Sequence, residues 1–509
     1  MRLVTRNVPL GRLHDDVILD DIVVSPDSKR VAYRTGLGAN RWGWVVVVDG
    51  VEDKNAYWSV HYPRFSPDSQ RVAYIAGHGD KPLKFIVVDG KKGEEYREIT
   101  SHPHFSPNSQ RIAYMVRHYY PEWLGYNKQR EFVVVNGQEG KKFEVVWPQS
   151  LCFSPDSQRV AYAAEEEGFC AEFVVVDGQQ SKAYLRVAPD SLRFSPDSQH
   201  FVYAASPDGG KWFIVVNEAI SKKGYDEILG EFLRFSYDSK RIAYVARRNK
   251  TGFPTKELVV VDSTEGDEYD KVKSLAFTRD SRRVVYVARR GEKELVIVDA
   301  KEGKEYDCIG GRLPFLSADG QRVAYEAWRG GKRFVVIDGE EQKEYGLIHD
   351  ICFSPDSQRL AYVASEWVGD QASVVVDGME RQYDKVLEGS LHFSADSKRV
   401  TYTAMRGGKW FVVVDGTEGK QYDDIRRWTW CISVWVPTGC SVFSPNSQRV
   451  SYIAKRGGKW VIIVDGAESE EYDEFLPGSG LVFDSPDLFH TLAFRNGEIF
   501  RVEVQVINE

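Results

Sequence analysis

At 509 residues, with 42% hydrophobic and 28% charged side chains, the chain has the composition of a folded globular protein. Its formal charge of −8 argues against a general grip on nucleic acid, for which a basic stripe is expected. No apolar run reaches the roughly 18 residues that a membrane-spanning helix needs.

The start, MRLVTRNVPLGRLHDD, lacks the apolar core of a secretory signal, so the cytoplasm is the expected address. The next stretch, HDDVIL at 14–19, has the pattern of a short strand. From there the chain is a repeat. FSPDSQRVAY ends at Tyr74 and recurs unchanged at Tyr162, and variants end at Tyr33, Tyr114, Tyr203, Tyr244, Tyr286, Tyr325, Tyr362, Tyr402 and Tyr452. Steps between these eleven copies run from 37 to 50 residues. A second signature follows each copy, as in RGGKWFVVVDGTEGKQYDDI at 406–425, and an eroded twelfth copy occupies 480–507.

Each unit reads as four strands, a to d. Strand a lies around 192–194 in the fifth copy, and Ser-Pro-Asp-Ser turns it into strand b, Arg-Val-Ala-Tyr. A Gly-Gly or longer loop leads to strand c, whose β-branched run suits burial on both faces. Asp-Gly ends strand c, and the Tyr-Asp segment forms strand d. No stretch keeps a 3.6-residue period, so helix is expected to be scarce. The recurrent Phe, as at Phe353, is expected in the core, where truncation to Ala costs about 3–5 kcal/mol. Cys152 and Cys352 occupy matching places in an apolar strand and read as small core residues. Six cysteines are too few for a disulfide scaffold, and a Cys431–Cys440 bridge is left open. No Cys or His spacing fits a zinc site, and no metal or cofactor is expected.

FSPDSQRVAY resembles the FSPDG-K-x-I-A-F core of TolB-like, WD40-like β-propeller repeats. Here Ser replaces the usual Gly in every copy but one, where Asp319-Gly320 keeps it. The resemblance covers nearly the whole chain and implies an all-β propeller of four-stranded antiparallel blades. It implies no single function, because such propellers bind proteins, gate hydrolases or hold small ligands.

Twelve blades in one domain follow if 1–22 supplies the closing strand for the last blade, 23–479 the eleven clear blades and 480–509 the degenerate twelfth. One wide ring is expected, and two six-bladed rings are the alternative. No Pro/Gly/Ser-rich linker divides the halves, and two rings would need the chain to cross between them twice.

Strand order places the b–c loops and d–a connections on one face, and the a–b and c–d turns on the other. The second face is uniform and the first varies, so partner-binding residues are expected on the first. Its aromatic insertions carry Tyr119, Tyr120, Trp123 and Tyr126 in one loop and Trp428, Trp430 and Trp435 in another. The plainer alternative is that these loops cap neighbouring blades. On strand a, one position before the recurrent Phe, stand Arg64, His104, Arg193, Arg234 and His392. They would line the channel and attract an anionic ligand or acidic peptide, unless each pairs with a carboxylate of its own or the adjacent blade. The Asp-Gly and SPDS aspartates fit turn chemistry better than calcium sites.

No nucleophile elbow, P-loop, HExxH or kinase signature is present. The expected function is therefore a non-catalytic scaffold for an unidentified protein partner. Small-molecule or glycan binding by the aromatic loops or channel is the first alternative, and a propeller hydrolase or lyase the second.

Overall fold

The computed structural model describes residues 1–36, 43–61, 63–79, 82–119, 129–166, 168, 171–249, 254–311, 313–366, 371–427 and 441–507. They form twelve separate antiparallel sheets. In chain order the blades span 23–52, 59–92, 98–139, 145–180, 186–220, 227–269, 271–306, 308–345, 347–383, 385–418, 424–472 and 474–507.

Local chemistry sets each blade. In blade 1, Val48 pairs with Val51 across Asp49-Gly50, whose φ values of +50° and +76° are those of a type I′ hairpin. The a–b turn is held from within. In blade 2 the Ser66 hydroxyl donates to Asp68, Asp68 Oδ1 accepts the Gln70 N–H at 3.0 Å, and Ser66 Oγ accepts the Arg71 N–H at 2.9 Å. Strand d runs from just after Asp-Gly to the recurrent Tyr, as in Ala467–Tyr472, and the next strand a begins two residues later at Glu474. Strand a is also longer than its sequence signature: in blade 5 it covers Arg186–Phe194, with a bulge between Ala188 and Arg193.

The hydrophobic cores lie between blades. Twelve buried clusters each combine residues of two consecutive blades, so there is one cluster per seam. At most seams, the strand d Tyr of one blade meets the strand b Tyr of the next edge-on, as Tyr269 and Tyr286 do at 6.1 Å. One cluster joins blades 6 and 7, and another joins blades 12 and 1. Two six-bladed rings would instead join 6 to 1 and 12 to 7. The molecule is one twelve-bladed ring.

Closure comes from the amino terminus. Strand Arg2–Arg12 pairs antiparallel with Glu498–Ile507 and is the outer strand of blade 12. The segment 14–19, expected from its pattern to be the closing strand, is irregular and leads into a short 3-10 turn, Leu19–Asp21. Its polar His14 faces Tyr33 and Glu52 instead of a ladder partner.

The SPDS turns link the blades into a circle. In ten of the twelve seams a backbone N–H of one blade donates to the second Ser hydroxyl of its neighbour, as Asp356 N does to Ser397 Oγ at 2.9 Å. This Ser is left-handed, with φ of +63° at Ser397, which explains why Gly is usual in similar repeats. Here the hydroxyl's bond to the next blade offsets the cost of the Cβ. Ser397→Ala keeps the strained backbone and loses the bond. It is expected to destabilise by about 1–2 kcal/mol more than Ser397→Gly. Equal denaturation midpoints for the two variants would show that the left-handed backbone at this position imposes no cost on a Cβ.

A second link is the Arg that opens strand b. Arg359 donates through Nε to Asp377 Oδ2 at 2.8 Å and through Nη1 to the Ser397 and Lys398 carbonyls at 3.1 and 2.9 Å. Its guanidinium lies 4.9 Å over the Phe393 ring of the next blade. The recurrent Phe thus sits beneath an arginine at the edge of a seam cluster: Phe277 is buried in the core as expected, whereas Phe353 is half-buried, packed against its cluster with Arg322 5.1 Å over its ring. Truncating it removes less apolar contact than a core Phe, so the cost falls below the expected range. Cys152 and Cys352 are likewise half-buried, each facing the next blade's strand a.

Candidate functional site

Direct bonds of short side chains join neighbouring a strands: Cys352 Sγ reaches the Leu391 carbonyl at 3.8 Å, and Asp350 accepts the Gly389 N–H at 2.6 Å. Neighbouring d strands are bridged by long side chains, such as Lys343 to Glu380 at 2.7 Å. The seams therefore narrow towards strand a, which forms the inner wall. Surface clefts lie between the outer strands, as at Gly303, Tyr325 and Asp338, and recur at other seams. A distinctive site must come from departures between blades.

Among the described residues of the b–c/d–a face, those departures are concentrated in one arc. The residue after the strand d Tyr is Asp226, Asp270, Asp307, Asp384, Asp423 and Asp473 in six blades. Asp307 shows its work: it accepts Lys293 Nζ from its own b–c hairpin at 2.5 Å and the Gly330 N–H of the next hairpin at 2.7 Å. Those two donors hold its carboxyl below the usual range. Asp16 caps Gly36 in the same way at 2.7 Å where the amino-terminal strand meets blade 1. Gly346 is an exception of space, since a Cβ there would sit 1.6 Å from the Glu366 carbonyl oxygen. The four seams from blade 1 to blade 5 carry Trp58, Arg97, Glu144 and Leu185 instead.

Trp58 is 56% exposed and lies across Gly79 of the next hairpin, where a Cβ would meet the indole at 2.6 Å. Leu185 is 41% exposed and lies across Gly209 with the same 2.6 Å constraint. Trp44, on the strand c start beside Tyr57, carries the Arg34 guanidinium 4.9 Å from its ring. Apolar side chains have replaced the charged cap at both ends of the arc. Between them, Tyr119 donates to Glu98, which also meets Arg117 at 3.2 Å. Tyr119 pairs with Gln129 at the base of its loop. Tyr120, Trp123, Tyr126, Trp428, Trp430, Trp435, Cys431 and Cys440 lie outside the described residues.

The position before the recurrent Phe is Arg64, His104, Cys152, Arg193 and Arg234 in blades 2 to 6, and uncharged elsewhere apart from His392. Among the described residues none of these three arginines has an ion pair. Arg64 and His104 are exposed on the inner wall, without a hydrogen bond. Burial against the strand, with Arg64 and His102 adjacent, holds His104 below the usual histidine range. Burial lowers His61 and His102 too, with further cationic neighbours. Arg193 donates to the Asp190 and Gly230 carbonyls at 3.2 and 3.0 Å, leaving a buried Nε without a partner. Arg234 donates to the Leu233 carbonyl at 2.9 Å. The carboxylates anticipated by the plainer alternative act at longer range on two of the arginines, Asp190 on Arg193 and Glu231 on Arg234, and none acts on Arg64. His392 stands apart on blade 10, where Nε2 is tethered to the Ser441 carbonyl at 2.5 Å.

Similarity searches add little to this geometry. No protein-family model matches the chain, and no curated protein does. Among solved structures it is similar to a eukaryotic initiation factor, at 13% identity over 70% of this chain and 97% of that one, with a TM-score of 0.36. It is also similar to the β-propeller domain of the Trilobed protease from Pyrococcus furiosus, at 15% identity over 56% and 94%, TM-score 0.27. TolB from Acinetobacter baumannii matches at 16% identity over 64% and 80%, TM-score 0.24.

Sequence reasoning placed the variable face but missed Trp58, Leu185, Trp44, His61 and His102. A signal was present: aligning the copies on Tyr57, Tyr96, Phe143 and Tyr184 shows the missing Asp at the next position. Asp350 was also missed. It is left-handed at φ +52° on the inner wall of blade 9, and burial with Glu388 nearby pushes its carboxyl up to about 6. Among the described residues no group of His, Cys, Asp and Glu could hold a metal ion, and no helix is long and apolar enough to cross a membrane.

Proposed function

We propose that this chain is a non-catalytic binding scaffold that holds a protein partner on the b–c/d–a face of blades 1 to 5. The observation that carries this reading is the loss of the charged cap at four consecutive seams, two of which present Trp58 and Leu185 to solvent. In six other blades the same position holds an aspartate that caps the next hairpin. An exposed Trp at the start of a short blade connector is the kind of side chain that dominates protein interfaces, because it covers a large area with little loss of rotamer freedom.

Affinity capture from cell extract with the wild-type ring should retain a partner that Trp58→Ala releases. The expected loss is about 2 kcal/mol of binding, or roughly thirtyfold in affinity. Lys301→Ala, on the outer strand of blade 7, should leave capture unchanged. Equal recovery by Trp58→Ala and wild type would overturn this placement of the interface.

A further inference from the structure

We propose that the inner wall of blades 2 and 3 binds a carboxylate-rich peptide segment, with Arg64, His61, His102 and His104 as the cationic contacts. The inference rests on the scaffold reading above and names the chemistry of the partner segment that enters the ring.

The placement follows from the repeat. Arg64 pairs with Ala73 and His104 with Ala113, so both hold the same position on adjacent innermost strands. At this position the side chain points towards the following blade, as Arg193 does to Gly230 and Cys352 to the Leu391 carbonyl. Arg64 is thereby directed at the strand that carries His102 and His104. His61 and His102 lie on the irregular part of each strand a, before the buried Pro63 and Pro103. Proline removes a ladder donor there and lets the segment turn towards the channel.

The charges around this cluster are nearly all of one sign. Lys84, Arg34 and His102 act on His61, Arg64 acts on His102, and Arg64 and His102 act on His104. Glu98, the acidic residue on these inner segments, is already engaged by Arg117 and Tyr119. The inner segment of blade 4, Trp147 to Phe153, carries no charge. Cations gathered on a wall without counter-charges raise the local concentration of anions.

An acidic peptide fits better than a nucleic acid. Trp58 begins the same segment as His61, so a peptide can place an apolar side chain on the face and its carboxylates on the wall. A longer polyanion would run onto a ring whose formal charge is −8. Protonation couples to occupancy: the three histidines sit below the ordinary value of 6.5, and a bound carboxylate favours their charged form. Without the ligand, these groups bind fewer protons folded than unfolded. They therefore withdraw stability as pH falls through 6.5, and the peptide restores it.

The test is fluorescence anisotropy with a labelled hexaglutamate peptide on the full chain. Saturable binding is expected, several-fold tighter near pH 6 than near pH 7.5, and weakened about tenfold or more by Arg64→Glu. His61→Gln, His102→Gln and His104→Gln together should remove the pH dependence, while Lys301→Glu should change nothing. Arg64 has no ion pair or hydrogen bond to lose, and thermal midpoints close to wild type will confirm that the variants are folded. Absence of saturable binding, equal affinity in Arg64→Glu, or equal competition by hexathymidylate overturns the proposal. Each of these results leaves the Trp58 capture experiment standing, so the two readings fail separately.

Discussion

Deleting residues 1–12 is expected to open the ring at blade 12, lower its thermal midpoint steeply and make the protein self-associate. The strand Arg2–Arg12 pairs along nearly its whole length with Glu498–Ile507, from Arg2 opposite Ile507 to Pro9 opposite Phe500. It also reaches blade 11, where Tyr472 donates to Asn7 Oδ1 at 2.9 Å and Thr5 donates to Glu470 at 3.0 Å. Leu10 belongs to the buried cluster that joins blade 12 to blade 1, with Leu476, Leu492 and Ile499. Without the strand, a ten-residue edge carrying Val502, Val504 and Val506 is left with unpaired backbone groups and uncovered apolar sides. Such an edge invites pairing with another chain. A peptide spanning 1–12, added in trans, should restore the midpoint and the monomer. An unchanged midpoint with no self-association would show that closure does not depend on this strand.

Arg359→Ala is expected to cost about 2–4 kcal/mol, a large effect for a partly exposed side chain. The loss is compound. A charge-assisted bond to Asp377, two bonds to carbonyls of blade 10 and the cover over Phe393 disappear together. Asp377 keeps only the Leu360 N–H at 3.1 Å. Seam 5/6 provides the internal control. His200 stands where Arg is usual and meets Asn217 at 2.7 Å, and blade 5 reaches blade 6 through Arg193 and the Ser239 hydroxyl instead. His200→Ala should therefore cost less than about 1 kcal/mol. Denaturant midpoints of the two variants, measured against wild type, decide the matter. Similar losses for both would mean that the arginine is no special link between blades.

How far each feature was legible in the chain depended on how local its cause is. Four strands per unit, the SPDS and Asp-Gly turns and the number of blades follow from neighbours in sequence: Asp49-Gly50 adopts its hairpin whatever surrounds it. The departure of Ser397 from the glycine of similar repeats was visible, but its reason was not, because the hydroxyl bonds Asp356 of another blade. The same holds for Phe353. Its apolar character suggested the core, and only the neighbouring arginine explains its half-buried place. The variable face could be read from strand order, whereas the arc on it required knowing that Asp307 caps Gly330 one blade on.

The sequence by itself determined the all-β blade, its repetition and the need to hide apolar sides against neighbouring copies, because these rest on turn chemistry and the alternation of side chains. The tertiary structure decided that one ring closes and not two, through the contact of blade 6 with blade 7 and of blade 12 with blade 1. It also decided which strand closes the ring and which cations stay unpaired on the inner wall. Such choices depend on groups brought together from distant parts of the chain, and no short-range pattern encodes the distance between them.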